Sequence, residues 1–255
     1  MQSRVVDAPG APRAAGYRYG RDHPPRRPAP QPDPDVPPRR GRTGTRRAEA
    51  LERLWPDFGL DIPADADLRR PVDPAAVFGR VAPVVLEIGC GMGDAAVAMA
   101  AADPDRDYLA VDVHTPGLGR VLTEIEDRGL TNLRAVRGDA LDLVRDCLPA
   151  ASLAAVHVFF PDPWPKARHH KRRLVQPAAV ALLADRLAPG GHLLCATDWA
   201  DYAEQMLEVL SAEPTLHNLH DGAAPRLATR PVTVFERRAL AAGRQIADFA
   251  FARRP

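Results

Sequence analysis

The sequence predicts an α/β protein built on a mostly parallel sheet, and three features point to this fold class. From Pro83 onward, short apolar runs alternate with stretches of helical periodicity, which is the pattern of a parallel α/β sheet. A glycine-rich segment follows the first apolar run and precedes the first helical stretch. An acidic residue ends or closely follows each of the five predicted strands, at the edge where an open parallel sheet binds its ligands.

Each predicted element has its own sequence signal. Short apolar runs predict five strands, at Val84–Ile88, Tyr108–Val113, Leu133–Val136, Ala155–Phe160 and His192–Ala196. Apolar residues at helical spacing predict five helices, near Asp94–Ala102, Pro116–Arg128, Leu141–Cys147, Gln176–Leu187 and Tyr202–Ser211. Upstream of the sheet, Ala48–Trp55 is predicted to form a short amphipathic helix that Pro56 ends.

The first 46 residues differ in composition from the rest of the chain. They hold ten prolines and almost no large aliphatic side chains, so they cannot bury enough surface to offset the chain entropy lost on folding. Residues 1–47 carry eleven arginines and four aspartates, a net charge of +7, whereas the remainder has a net charge of −6. We predict a disordered tail over residues 1–46, which either solubilises the protein or attracts RNA weakly, and one domain over residues 47–255.

Cysteine usage and hydropathy bear on the compartment. Cys90, Cys147 and Cys195 are odd in number and lack CxxC spacing, which favours a reducing cytoplasm over a disulfide framework. No apolar run approaches the length of about 18 residues that a membrane span needs, and the N-terminus lacks the apolar core of a secretion signal. The sequence therefore predicts a cytoplasmic protein without a membrane anchor.

The glycine-rich segment Glu87–Gly93 is predicted to form a cofactor loop. Gly89, Gly91 and Gly93 allow the backbone to turn sharply and to approach a ligand closely. The dinucleotide fingerprint fails because its third glycine falls on Asp94, and an anion at that helix N-terminus opposes the binding of a pyrophosphate. A cationic cofactor without phosphate fits better, and S-adenosylmethionine, with its amino group and sulfonium, is of that kind.

Three carboxylates at strand ends are candidate ligands of such a cofactor. Glu87 lies at the end of the first strand, beside the loop. Asp112 ends the second strand 25 residues further on, where a carboxylate can accept hydrogen bonds from both ribose hydroxyls. Asp139 follows the third strand, and we expect it near the adenine. For each acid the alternative is a helix cap or a solvated turn.

The run Phe159–Arg173 follows the fourth strand and combines an acid, an aromatic ring and many basic residues. Asp162 lies between Pro161 and Pro163 and is followed by Trp164. A carboxylate and a ring on a stiff turn, next to a positive patch, suit a planar base attached to a phosphate backbone. The tryptophan either stacks on a base or packs beneath the turn. The two histidines of the run have no cysteine or acid at zinc-ligand spacing, so we predict no metal site.

Together with this run, motifs along the chain resemble the tRNA (guanine-N7)-methyltransferase family over about residues 38–252. The motifs are Gly41-Arg42 with Ala50–Pro56, the loop EIGCGMG, Asp112–Gly117, the FFPDPW turn, Ala196–Trp199 and the segment RPVTVFER at Arg230–Arg237. The resemblance implies a Rossmann-like class I methyltransferase fold, with a mostly parallel seven-stranded sheet and helices on both faces. It also implies methyl transfer from S-adenosylmethionine to N7 of a guanine in tRNA, at guanosine 46 of the variable loop.

The resemblance further implies roles for the residues that match the family motifs. Asp162 would be the catalytic residue, at the reaction centre. The cofactor would be bound by Glu87, Gly89, Gly91, Gly93, Asp112, Asp139 and Asp162. The guanine nucleotide would be held by Lys166, Asp198, Thr233, Val234, Phe235 and Glu236. The RNA would be contacted by Arg168, His169, His170, Lys171, Arg172 and Arg173. The active species would be a monomer or a homodimer without an obligate protein partner.

Two roles for Asp162 remain open on chemical grounds. Guanine N7 has an exposed lone pair and carries no proton, so the reaction needs positioning rather than a base. The carboxylate either accepts hydrogen bonds from N1–H and N2–H of guanine, which selects guanine over adenine, or stabilises the positive charge that develops on the base.

Other functions make different predictions about the same residues. A methyltransferase for a small molecule or a protein would not need the basic run, Lys166–Arg173, or the RPVTVFE segment. A nicotinamide oxidoreductase is disfavoured by Asp94. A nonenzymatic RNA-binding module would have lost the strand-end acids, which are all present. Within the C-terminal segment, the polar and apolar alternation of Thr233–Glu236 predicts a strand.

Overall fold

The structure is a computed structural model that describes residues 44–255, so the predicted tail lies almost entirely outside the described residues. The described residues form eight strands, whose bounds are β1 Gly59–Asp61, β2 Val84–Ile88, β3 Asp107–Asp112, β4 Leu133–Arg137, β5 Leu153–Phe159, β6 Leu187–Thr197, β7 Leu216–Asn218 and β8 Ala247–Arg253. They form one sheet in the order β1-β4-β3-β2-β5-β6-β8-β7. Strands β1 to β6 pair in parallel, whereas β8 pairs antiparallel with both β6 and β7.

Helices cover both faces of the sheet. Their bounds are α1 Thr45–Phe58, α2 Pro74–Phe78, α3 Asp94–Ala102, α4 Thr115–Arg128, α5 Ala140–Asp142, α6 Pro177–Arg186, α7 Ala200–Ala212 and α8 Val234–Ala241. Alternate strand residues supply two cores, because successive side chains of a strand point to opposite faces. Val85 packs with α1, α3 and α4 in one core, whereas Leu86 packs with α6 and α7 in the other. The predicted fold class is confirmed.

The sheet has one strand more than the seven that the resemblance implied. The additional strand β1 is only three residues long and adds to the edge of the sheet by parallel pairing with β4. Asp61 holds it there, since its carboxylate accepts from Trp55 Nε1 at 2.9 Å and from Arg137 Nε at 2.7 Å. A strand this short has no sequence signature, so the sequence did not predict it.

The prediction that Pro56 ends the first helix was wrong, because α1 begins at Thr45 and continues to Phe58 with Pro56 inside its last turn. A proline so close to the helix end removes a single hydrogen bond, which the packing of α1 against α4 outweighs.

The predicted strand at Thr233–Glu236 was also wrong. Thr233 is instead the N-cap of α8, and its hydroxyl oxygen accepts from the backbone N–H of Glu236 at 3.2 Å. A threonine followed three residues later by a glutamate is the signature of a capped helix start, and this signal competes with the alternating pattern.

The strand order places a ligand crevice at the carboxyl ends of β2 and β5. From β2 the chain proceeds outward to β3 and β4, and it then returns to the other side of β2 as β5. Ligands of open α/β sheets bind at such a switch point. Among residues 44–255, no helix combines the length and the apolar character that crossing a bilayer requires.

Candidate active site

A cavity of about 1000 Å³ opens at this switch point. Its wall is formed by the glycine loop after β2, the ends of β3 and β4, the turn after β5, the start of α6 and one face of α8. The predicted site residues that line it are Glu87, Gly89, Gly91, Asp112, Asp139, Asp162, Lys171, Arg172, Arg173, Thr233, Val234 and Phe235. The predicted site residues outside its lining are Gly93, Lys166, Arg168, His169, His170, Asp198 and Glu236.

The glycine loop is held against the end of β3. The backbone N–H groups of Gly89 and Cys90 both donate to the carbonyl oxygen of Val111, at 2.9 and 3.0 Å. Helix α4 approaches the loop so closely that a Cβ at Gly117 would lie 1.9 Å from the carbonyl oxygen of Gly91. The conformation of the loop therefore depends on a glycine from a different element.

Asp112 is fixed in orientation by two backbone donors. The N–H of Gly91 donates to Oδ2 and the N–H of His114 donates to Oδ1, both at 2.7 Å. Each carboxylate oxygen retains a second lone pair. The side chain can therefore accept two further hydrogen bonds from a ligand in the cavity, as a ribose diol would require.

Glu87 is the most perturbed acid of the site. Its side chain is buried, and its Oε2 has no hydrogen-bond partner among the described residues. Burial, together with the negative charges of Asp94 and Asp112, raises the pKa of Glu87 to about 8. Asp94 itself pairs with Arg120 at 2.5 Å. An unpartnered buried carboxylate oxygen at the cavity wall fits a ligand that brings its own positive charge.

Asp139 caps a helix, as the alternative to cofactor binding predicted. Its Oδ1 accepts from the backbone N–H groups of Leu141 and Asp142, at 2.8 and 3.1 Å, and thereby caps α5. Its Oδ2 makes no hydrogen bond within residues 44–255, and the residue lines the cavity. One oxygen is structural, and the other is open to a ligand.

Asp162 is exposed at the cavity wall and forms no ion pair with any described residue. The turn that carries it is strained, because Phe160 and Trp164 adopt left-handed backbone conformations with φ of 52° and 44°. Such a conformation persists only where the surroundings impose it. Here Phe160 N–H donates to the carbonyl of Ala196 at 2.8 Å, and the carbonyl of Pro163 accepts from a guanidinium at 2.8 Å.

That guanidinium belongs to Arg173, which differs from the rest of the basic run. Its side chain is 1% exposed and pairs with both carboxylate oxygens of Asp201 at 2.9 Å. It also donates to Gln205 Oε1 at 2.7 Å. We therefore assign Arg173 to positioning the turn around Pro163 rather than to contact with RNA.

Apart from Lys166, which precedes it as the N-cap, the other basic residues of the run lie on a short 3₁₀-helix, Ala167–Arg172. Trp164 is partly exposed and lines the cavity, so it is not the core residue that one alternative proposed. The guanidinium of Arg172 lies over its ring at 5.0 Å, and the ring of His169 meets it edge-on at 5.9 Å. The tryptophan is therefore held at the rim of the cavity by its own basic run.

A buried charge cluster supports the turn from below, and the sequence did not predict it. Arg230 is fully buried and pairs with Glu236 at 2.7 Å and with Asp248 at 2.8 Å. Its guanidinium lies 5.3 Å from the ring centre of Phe159 and 5.2 Å from that of Phe160. Because its carboxylate is occupied by this arginine and by Arg226, Glu236 contributes to the site through the fold of the C-terminal segment.

Asp198 is also engaged by another part of the chain, since Arg244 Nε donates to its Oδ2 at 2.8 Å. Among residues 44–255, no group of three or more histidine, cysteine or acidic residues is arranged to hold a metal ion.

Comparison with known proteins decides the family. A family model described as "Putative methyltransferase" matches residues 81–249. A Streptomyces coelicolor protein named tRNA (guanine-N(7)-)-methyltransferase is 54% identical over 218 residues, which cover 85% of this chain and 79% of the relative. Proteins of the same name from Paracidovorax citrulli and Halorhodospira halophila are each 53% identical, covering 84% and 93% of their lengths and 84% and 85% of this chain. The chain belongs to the tRNA (guanine-N7)-methyltransferase family.

Solved structures agree on the fold. The 16S rRNA methyltransferase KamB superposes with a TM-score of 0.55 at 18% identity, covering 73% of this chain and 96% of that one. The antibiotic-resistance methyltransferase Kmr gives a TM-score of 0.51 at 16% identity, covering 76% of this chain and 95% of that one. At these identities the likeness concerns the methyltransferase fold alone.

Membership of the tRNA (guanine-N7)-methyltransferase family confirms the resemblance that the sequence motifs carry. The protein is therefore a methyltransferase, and use of S-adenosylmethionine follows from the family. The roles of single residues at the site remain predictions, which the geometry above makes specific.

Proposed function

We propose that this protein transfers a methyl group from S-adenosylmethionine to N7 of a guanine in tRNA, and that the target is guanosine 46 of the variable loop. The product is 7-methylguanosine. The observation that carries the proposal is the carboxylate of Asp162, which has no ion-pair partner among the described residues and shares one cavity with Glu87 and Asp112 in a chain of this family. A cytoplasmic location and a monomeric or homodimeric state belong to the same proposal.

Glu87, Asp112 and Asp139, the acids at the strand ends, suit the cofactor. When bound, S-adenosylmethionine supplies the electrophilic methyl group. Glu87 would face a cationic group of the cofactor, because its buried Oε2 has no hydrogen-bond partner within residues 44–255. Asp112 would bind the ribose hydroxyls through its free lone pairs, and Asp139 would accept a hydrogen bond at Oδ2 near the adenine.

The turn around Asp162 would orient the guanine. N7 needs no deprotonation, so the protein acts by holding the base in line for transfer, and such positioning supplies roughly 7–11 kcal/mol of barrier reduction. A carboxylate that no described residue neutralises can accept N1–H and N2–H, and Phe235 and Trp164 offer aromatic surface for the base. We favour this recognition role over charge stabilisation.

The decisive experiment measures incorporation of labelled methyl groups into an unmodified tRNA transcript, followed by mapping of the modified base. Incorporation should require guanosine at the target position and should vanish when 7-deazaguanosine, which lacks N7, replaces it. Failure of the wild-type protein to methylate any tRNA would refute the proposal.

The role of Asp162 has its own test. Asp162→Asn should lose at least tenfold in kcat/KM while S-adenosylhomocysteine binds with unchanged affinity, and Asp221→Asn, an exposed aspartate outside the cavity, should behave as wild type. If Asp162 accepts N2–H, a transcript with inosine at the target should be a poor substrate of the wild type. Inosine should then cause little further loss in the variant. Equal losses by inosine in both proteins would favour charge stabilisation.

A further inference from the structure

One face of α8 reaches the cavity and carries a cation that no motif singled out. Val234, Phe235 and Arg238 all line the cavity, and spacings of three and four residues place them on the same side of a helix. Phe235 is 57% exposed. Arg238 is also exposed, and its guanidinium makes no hydrogen bond or ion pair within residues 44–255.

The cations of the cavity wall fall into two groups. Five line it: Arg145, Lys171, Arg172, Arg173 and Arg238. Two of the five are neutralised within the protein, since Arg145 pairs with Asp142 at 3.0 Å and Arg173 pairs with Asp201. The remaining three have no carboxylate partner among the described residues. They come from two separate elements, the 3₁₀-helix Ala167–Arg172 and α8.

Cations from two separate elements, none of them paired with a carboxylate of the described residues, line one cavity. This arrangement suits a nucleotide whose phosphates lie at the rim while its base enters the cavity. A base withdrawn from a stack into a pocket brings its flanking phosphates to the rim. Aromatic surface then contacts the base, and guanidinium groups bind phosphate oxygens by charge-assisted hydrogen bonds.

We propose that Arg238 binds a phosphate next to the target nucleotide. The RNA backbone would then be bound by a cation of α8 as well as by the cations of the basic run. This inference rests on the proposed function, because it takes RNA as the substrate. The competing explanation is that Arg238, in the last turn of α8, only complements the helix dipole.

Arg237 provides a matched control for the test. It precedes Arg238 on the same exposed helix and has the same charge and a similar distance to the helix end. Its guanidinium, however, donates to the carbonyl of Val232 at 2.7 Å and does not line the cavity. Arg237→Ala and Arg238→Ala therefore change net charge equally and differ in the contact that is tested.

The experiment measures tRNA binding to the full-length proteins as a function of salt concentration, without cofactor. Arg238→Ala should weaken binding about tenfold at about 0.1 M salt and lower the slope of log K against log salt by about 0.7–0.9, the contribution of one phosphate contact. Arg238→Lys should retain the slope, and Arg237→Ala should match wild type. Affinity for S-adenosylhomocysteine, measured by calorimetry, should be the same in all four proteins.

The outcomes separate this inference from the proposed function. Equal slopes for Arg238→Ala and Arg237→Ala would overturn the phosphate contact, as would a loss confined to thermal stability. If the wild type binds tRNA but methylates no guanine N7, the proposed function fails, whereas a reduced slope in Arg238→Ala would still support the contact. If the wild type methylates tRNA and the slope does not change, the contact alone fails.

Discussion

Replacing Arg173 by methionine should release the turn that carries Asp162 while leaving the cofactor loop intact. The arginine is the one residue of the basic run that is buried, and it joins the carbonyl of Pro163 to Asp201 and Gln205 of α7. Methionine keeps much of the apolar volume that packs on the ring of Tyr202, where the guanidinium lies 4.6 Å from the ring centre. The substitution therefore removes the polar contacts and keeps most of the packing.

The expected loss of unfolding free energy follows from the exposure of the partners. Removing one member of a buried ion pair costs about 3–5 kcal/mol, because the other charge is left without compensation. Asp201 is 46% exposed, so water can hydrate it once the arginine is gone. Loss of the hydrogen bonds to Pro163 and Gln205 adds about 0.5–1.5 kcal/mol each. We expect a net loss of about 2–3 kcal/mol.

Urea unfolding measures this loss, and Arg168→Met is the matched control. Arg168 belongs to the same run but is exposed, so its replacement should change stability by less than about 0.5 kcal/mol. Arg173→Met should also reduce kcat for tRNA methylation with S-adenosylhomocysteine affinity within twofold of wild type. Equal stability of the two variants, or a parallel loss of cofactor affinity, would contradict the assignment of Arg173 to the turn.

Three further predictions concern the rest of the site. The pKa of Glu87 is raised from 4.5 to about 8, so between these pH values the folded protein binds one proton more than the unfolded chain. The free energy of unfolding should therefore fall as pH rises across that window, by up to about 1.4 kcal/mol per pH unit. Glu87→Gln should flatten this dependence in urea titrations at several pH values, and an unchanged slope would refute it. Gly117→Ala forces a Cβ into the cofactor loop and should cost at least about 1–3 kcal/mol and most of the S-adenosylhomocysteine affinity. Gly129→Ala, strained only by its φ of 63°, should cost about 1 kcal/mol and keep that affinity. Arg230→Met leaves the buried Asp248 unpaired and removes one of the two arginines that pair with Glu236, and it should cost about 3–5 kcal/mol in thermal or urea unfolding, more than Arg226→Met, whose side chain is 36% exposed.

The anionic half of the site could be predicted from the sequence because its geometry is local. Glu87 and Asp112 end strands that the apolar pattern identifies, and parallel strands bring their carboxyl ends to one edge. The bonds that orient Asp112 come from its own end of the strand and from the adjacent glycine loop. Strand ends and glycine spacing were therefore sufficient to locate these acids.

The supports of the substrate turn could not be predicted, because their partners are distant in sequence. Arg173 looks like its exposed neighbours in a basic run, and it is buried only because Asp201 lies 28 positions further on and folds against it. Likewise, Arg230 meets Asp248 across 18 positions. The Thr233–Glu236 segment was predicted to be a strand, but it forms the start of α8, because tertiary packing and the cap of Thr233 favour a helix there.

The buried arginines around the strained turn are paired with carboxylates of the protein, and this pairing leaves the charge of Asp162 for a ligand. Arg173 holds the turn around Asp162 by donating to the carbonyl of Pro163, and an arginine without a carboxylate partner of its own there would be attracted to the aspartate. Arg173 and Arg230 are instead paired with Asp201, Glu236 and Asp248. Arg173 can therefore donate to the turn, and Arg230 can pack on Phe159 and Phe160, without neutralising Asp162. The carboxylate of Asp162 therefore keeps its negative charge at the cavity wall, where a ligand would contact it. On this argument, Asp201→Asn should harm catalysis beyond its effect on stability, because the freed Arg173 would then compete for Asp162.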